Sequence, residues 1–213
     1  DVLVTKGSLF ANNLGSAPVT GTLSTNAVEA IDNIAIGDTA LNELTSGNSN
    51  LALISNALTS ITTGDNNIGL GYVAGGNTTG SINYLVAIGY GAARNMDGDN
   101  NIAIGQSAMQ GSSTNTNNTG TDNIAMGYFS LYDVTSADHN VAIGNQSLSN
   151  ATTGGYNVAI GNKTLLSMTT GIGNVAIGSS PLDGLTDGSN NVAVGAAMGD
   201  VEGSVEKNVA ISR

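Results

Sequence analysis

Hydrophobic and polar positions along this chain follow one short formula. The pentapeptide Asn-(Ile/Val)-Ala-(Ile/Val/Met)-Gly starts at Asn33, Asn101, Asn123, Asn140, Asn157, Asn174 and Asn191. Looser copies start at Asn50, Asn67, Leu85 and Asn208. The eleven starts are 17, 17, 18, 16, 22, 17, 17, 17, 17 and 17 residues apart. The 18 and 16 compensate around Leu85, and the 22 is one period plus a five-residue insertion. Four residues after the Gly comes an apolar position (Leu41, Met109, Leu131, Leu148, Leu165, Leu182), preceded by a small residue such as Ala40, Ser147 or Thr164. A turn signal such as Thr152-Thr153-Gly154 follows. Each unit therefore predicts a strand, a Gly turn, a short apolar strand and a Thr/Gly turn.

A 17-residue unit is too short for a helix pair or a propeller blade. It fits one coil of a β-solenoid. No coil buries its apolar side chains alone; stacking makes the core continuous. Eleven coils at about 4.8 Å would give a rod segment of roughly 50 Å. The expected fold is all-β, a parallel β-solenoid (β-roll) of about eleven 17-residue coils over residues 33–213. Residues 1–32 do not fit the repeat and read as an N-terminal cap or linker, with short strands near 1–4 and 9–10. The polar insertion, 110–122, is expected to bulge from the rod.

Period-2 alternation assigns the strand faces. Val158 and Ile160 share one face and Ala159 takes the other. The expectation is that branched residues fill the interior with Leu165, and that alanine points outward. The outward column would then be Ala35, Ala52, Gly69, Ala87, Ala103, Ala125, and Ala142, Ala159, Ala176, Ala193, Ala210. Such a flat stripe suits close approach of another surface. The simplest partner is the same stripe on another copy, in a closed symmetric oligomer. Cover by another part of the same coil is the alternative. The Asn at each strand start is expected to stack as an amide ladder, with a plain turn-forming role as the alternative.

Composition narrows the function. The 213 residues carry 16 acids and 5 bases, for a net charge of −11, with 30 Gly, 28 Asn and no Cys. Helical surfaces normally need more charge than this. The bases Lys6, Arg94, Lys163, Lys207 and Arg213 are scattered singly, which argues against nucleic acid and against an anionic membrane surface. No apolar run approaches the roughly 18 residues of a spanning helix, so no membrane insertion is expected. Without Cys there are no disulfides, zinc fingers or thiol chemistry. The chain opens on Asp1, as a fragment or processed product would.

Candidate chemistry is thin. His139 occupies the freely varying position before the repeat Asn and reads as an exposed turn residue. It has no acid and nucleophile at triad-like spacing. Asp65, Asp97, Asp99, Asp122, Asp138 and Asp187 lie in turns and match no calcium-loop pattern. No catalytic residue, metal ligand or cofactor is assigned, and no enzyme is expected. Tyr72, Tyr90 and Tyr128 all follow the repeat Gly and could form an exposed patch that stacks on sugars. Asn115 and Asn117, within the insertion, are further contact candidates.

The stretch Asn-Val-Ala-Ile-Gly-Asn-Gln-Ser-Leu-Ser-Asn-Ala-Thr-Thr-Gly at 140–154 resembles the repeats of bacteriophage tail-fibre proteins. It is also similar to YadA-like head repeats of trimeric autotransporter adhesins, whose core reads Val-Ala-Ile-Gly. The adhesin period is shorter, so the phage comparison is closer. The resemblance covers about residues 33–212. It implies a homotrimer of β-rolls with the Val-Ala-Ile-Gly strand near the threefold axis. The implied role is a virion fibre segment, at the virion surface or extracellular, acting in host attachment. Its implied partners are copies of itself, other fibre or virion proteins, and a host surface glycan or protein. The alternative is the head of a bacterial cell-surface adhesin. A third reading, a polysaccharide-cleaving spike with acids meeting across protomers, has no motif behind it.

Overall fold

A computed structural model describes residues 2–5, 8–11, 30–78, 80–112, 118–197 and 205–211. It is all-β, with thirteen strands in one sheet whose spatial order is the chain order. Strands β1 (Val2–Thr5) and β2 (Ser8–Ala11) form an antiparallel hairpin. The hairpin lies parallel, through β2, against β3 (Ile34–Ile36). Then follow β4 (Leu51–Leu53), β5 (Ile68–Leu70), β6 (Val86–Ile88), β7 (Ile102–Ile104) and β8 (Ile124–Met126). The last five are β9 (Val141–Ile143), β10 (Val158–Asn162), β11 (Val175–Ser179), β12 (Val192–Ala196) and β13 (Val209–Ile211). From β3 onward, eleven parallel strands build a β-solenoid of about ten turns, with no helix among the described residues. Register is strict: Val158, Ala159 and Ile160 face Val175, Ala176 and Ile177. Coils are numbered below by their pentapeptides, so coil 1 starts at Asn33 and coil 5 at Asn101.

Among the described residues, the second strand expected in each coil does not form. The chain there runs in turns with left-handed residues at fixed positions. Leu148, Leu165 and Leu182 have φ of 51°, 50° and 55°, and Gln146 and Lys163, two residues past the Gly, have 54° and 53°. Hydrogen bonding between coils continues regardless. The Leu148 N–H donates to Thr164 O of the next coil (2.9 Å), while the Gln146 N–H donates to Tyr128 O of the previous one (2.9 Å). Each left-handed L-residue costs about 1–2 kcal/mol, and the uninterrupted ladder offsets that cost. The glycine closing each strand is needed more strictly. Gly161 has φ of 131°, and a Cβ there would overlap the backbone oxygen of Gly178.

The face assignment is inverted relative to the sequence expectation. Ala159 is fully buried, as are Ala52, Ala87, Ala103, Ala125, Ala142, Ala176 and Ala193, with Ala35 nearly so. Only Ala210, in the last coil, is half-buried. The flanking positions look outward: Ile36 is 44% exposed, Ile160 36% and Ile177 37%. The reason is steric. Leu58, Leu131, Leu148 and Leu165 are wholly buried and project from the opposite wall across a narrow coil. At Gly69, a Cβ would come within 2.6 Å of the Leu58 Cγ. A strand facing such leucines has room for a methyl group and nothing larger. A second buried row, including Leu44, Ile61, Met96, Val134, Met168 and Leu185, completes the core.

Candidate functional surface

The repeat Asn fixes the coils to one another. Asn157 shows the pattern. Its Nδ2 donates to Asn140 Oδ1 (3.0 Å) and to Gly171 O (2.9 Å). Its Oδ1 accepts from the Asn174 N–H (2.9 Å) and Nδ2 (3.1 Å). The same amide chain runs from Asn101 through Asn123, Asn140, Asn157, Asn174 and Asn191 to Asn208. Asn33, Asn50 and Asn67 form a shorter ladder in the first three coils. All but the exposed Asn208 of the last coil are buried, and they are structural. They leave the outer surface to other residues.

With the alanines inside, the predicted oligomer-interface column is not available to another copy. What faces outward is a double column of aliphatics, one on each side of the alanine. Ile34 and Ile36, Val141 and Ile143, Val158 and Ile160 are successive examples. All are half-buried or exposed, and every strand from β3 to β13 contributes a pair.

Tyr72, Tyr90 and Tyr128 are exposed on the strip next to the glycine column. Tyr72 and Tyr90 stack, with centroids 5.6 Å apart and planes 21° apart. Tyr128 instead meets Phe129 edge-on at 4.3 Å, and Phe129 in turn meets Tyr132 at 4.5 Å. Phe129 and Tyr132 belong to this aromatic group and were not singled out by sequence, because each occupies a slot that varies freely among coils. Asn115 and Asn117 lie outside the described residues. The insertion is tied down where it returns: buried Asn118 donates from Nδ2 to Asn95 O (2.7 Å) and Ser112 O (3.0 Å). His139 is exposed in its turn, stacked on Tyr156 at 4.7 Å and 3.8 Å from the Asp122 carboxylate. Compared with protein-family models, curated proteins and solved structures, the chain matches none.

Proposed function

We propose that this chain is a rod-forming segment of a trimeric extracellular fibre, of the phage tail-fibre type, that serves host attachment. The observation that carries the reading is the outward double column of Val, Ile and Leu. Ten coil spacings of about 4.8 Å and a width of about 10 Å give roughly 500 Å² of flat apolar surface. That lies at the upper end of what a typical monomer leaves uncovered. The columns have strict register and carry no charge, so copies of the same face are the natural cover. Two adjacent columns let one strand meet two neighbours, one with each column, which a closed threefold arrangement uses and a twofold one does not. The resemblance to tail-fibre repeats supports the same arrangement.

The test pairs two sets of variants. Ile143→Glu, Ile160→Glu and Ile177→Glu together place three carboxylates on the proposed interface. Sedimentation should show a trimer for the parent chain and a monomer for this variant, with the β-sheet circular dichroism of the parent retained. Ala159→Glu should instead destroy the fold, since it buries an unpaired charge. A monomeric parent, or a trimer that tolerates all three glutamates, would end this reading.

A further inference from the structure

We propose that coils 4 to 6 carry a binding shelf for a neutral glycan. The chain has eight aromatic residues; four of them (Tyr90, Tyr128, Phe129, Tyr132) lie in these coils, and Tyr72 joins them from coil 3. The Tyr72–Tyr90 stack lies on one side of coil 5, and the interlocked Tyr128, Phe129 and Tyr132 lie on the other. Between them, in the slot after the glycine, coil 5 presents the exposed Gln106. Tyr90 and Tyr128 are thus two coils apart, about 9.6 Å, roughly twice the closest distance at which rings stack. The exposed Gln106 stands in that interval, so an amide joins the two aromatic flanks.

The floor of the shelf comes from the next slot. There Gly91, Ser107 and Phe129 occupy successive coils. The Ser107 N–H donates to Tyr90 O (2.9 Å) and the Phe129 N–H to Gln106 O (3.2 Å). Gly91 has no side chain and Ser107 is only 5% exposed, so the surface steps down before it meets the Phe129 ring. The nearest atoms to a Cβ at Gly91 would be Gln110 Oε1 (3.7 Å) and Ser107 Oγ (3.8 Å). Gln110 in turn reaches the Tyr132 hydroxyl at 3.5 Å. The floor is therefore lined by an amide and a hydroxyl, beneath aromatic walls.

This chemistry selects a sugar. A pyranose offers C–H faces to rings and hydroxyls to amides, whereas a purely apolar ligand would cover the exposed Gln106 amide without pairing it. The same coils carry one base, Arg94 in coil 4, and one acid, Asp133 in coil 6, among their charged residues. A polyanionic chain would also meet the net charge of −11. The shelf deepens the attachment reading by naming a receptor class. It lies within one protomer, so it stands or falls separately from the trimer.

The experiment titrates the whole chain with maltohexaose, cellohexaose and chitohexaose, and with hexagalacturonate as the anionic counterpart. Saturation-transfer NMR and calorimetry provide the readouts. Three variants use residues that another coil already carries in the same slots: Tyr90→Asn and Tyr128→Asn follow Asn145, and Gly91→Gln follows Gln146. At least one neutral hexaose should bind, and each variant should lose about ten-fold or more in affinity, near 1.4 kcal/mol. Tyr156→Asn, at an exposed tyrosine elsewhere, should bind like the parent. The proposal is overturned if no neutral hexaose binds at about 10 mM, if the three shelf variants bind like the parent, or if hexagalacturonate is preferred.

Discussion

Two adjacent coils each break the repeat once, and the two departures answer each other. Coil 3 has Gly75 where most coils carry a core leucine, and coil 4 starts with Leu85 where the ladder asparagine belongs. Leu85 is wholly buried, and its Cδ2 lies 3.1 Å from where a Gly75 Cβ would stand, with Leu58 Cδ2 at 2.7 Å. Leucine bulk has moved from one wall to the other. The ladder breaks as a result: Asn67 Oδ1 accepts only the backbone N–H of Leu85 (2.9 Å) from that coil. Beyond the gap, Asn101 Nδ2 turns to Gly98 O (2.8 Å) and Gly120 O (2.7 Å).

A double-mutant cycle measures this exchange. Leu85→Asn alone loses about 2–3 kcal/mol of apolar burial and leaves a void beside Gly75. The void costs about a further 1–2 kcal/mol, and two restored amide bonds return about 1 kcal/mol each, for a net loss of about 1–3 kcal/mol. Gly75→Leu alone overpacks against Leu58 and Leu85, costing about 1–3 kcal/mol. Independent effects would sum to about 2–6 kcal/mol. The double variant restores the repeat residue at both positions and should lie within about 1 kcal/mol of the parent, giving a coupling of about 1 kcal/mol or more. Urea titration gives the global values. Amide exchange in coils 3 to 5 reports the same coupling locally, which matters because stacked repeats do not always unfold as one unit. If the double variant's loss equals the sum of the single losses within about 0.5 kcal/mol, the exchange argument is wrong.

Two further predictions concern single residues. Ile54 stands where most coils have the strand-closing glycine, with φ of 84° and 56% exposure. Ile54→Gly removes about 1–2 kcal/mol of strain against about 0.5–1 kcal/mol of added chain entropy. It should raise stability by about 0.5–1 kcal/mol, and a lower urea midpoint would contradict the strain account. Burial pushes the Asp133 carboxyl above its ordinary range. The folded state therefore holds that proton more tightly than the unfolded chain, and stability is lost as pH rises through the folded value. Asp133→Asn should melt higher than the parent at pH 7 and approach it near pH 3; a gap that widens in acid would reverse the sign.

The tyrosine slot is legible from sequence because it sits at a fixed offset from a recurrent glycine. The shelf beside it is not. Gly91, Ser107 and Phe129 share a slot that elsewhere holds Thr39, Asn56, Gln146 and Lys163. Such variation looks like an unconstrained turn until coils 4 to 6 are stacked. Only then does a missing side chain beside a ring become a step in the surface.

Repeat, period and solenoid follow from spacing alone, yet the same alternation that finds the strand does not say which face is inside. Both faces are apolar: Ala159 on one, Val158 and Ile160 on the other. Burial by hydrophobicity favours the larger side chains, and that is what fails. The deciding cue is parity. Asn157 and Ala159 are two residues apart, so they point to the same side of the strand. An amide ladder withdrawn from water and an alanine column facing solvent are therefore incompatible on one straight strand. Asn157 is fully buried, with its amide bonded to the coils on either side, so Ala159 must point inward with it. Volume agrees with parity, because the opposite wall already supplies Leu165 and Met168. The branched residues are thereby pushed outward. The apolar surface left for a partner is a pair of ridges of Val and Ile rather than a flat strip of methyl groups.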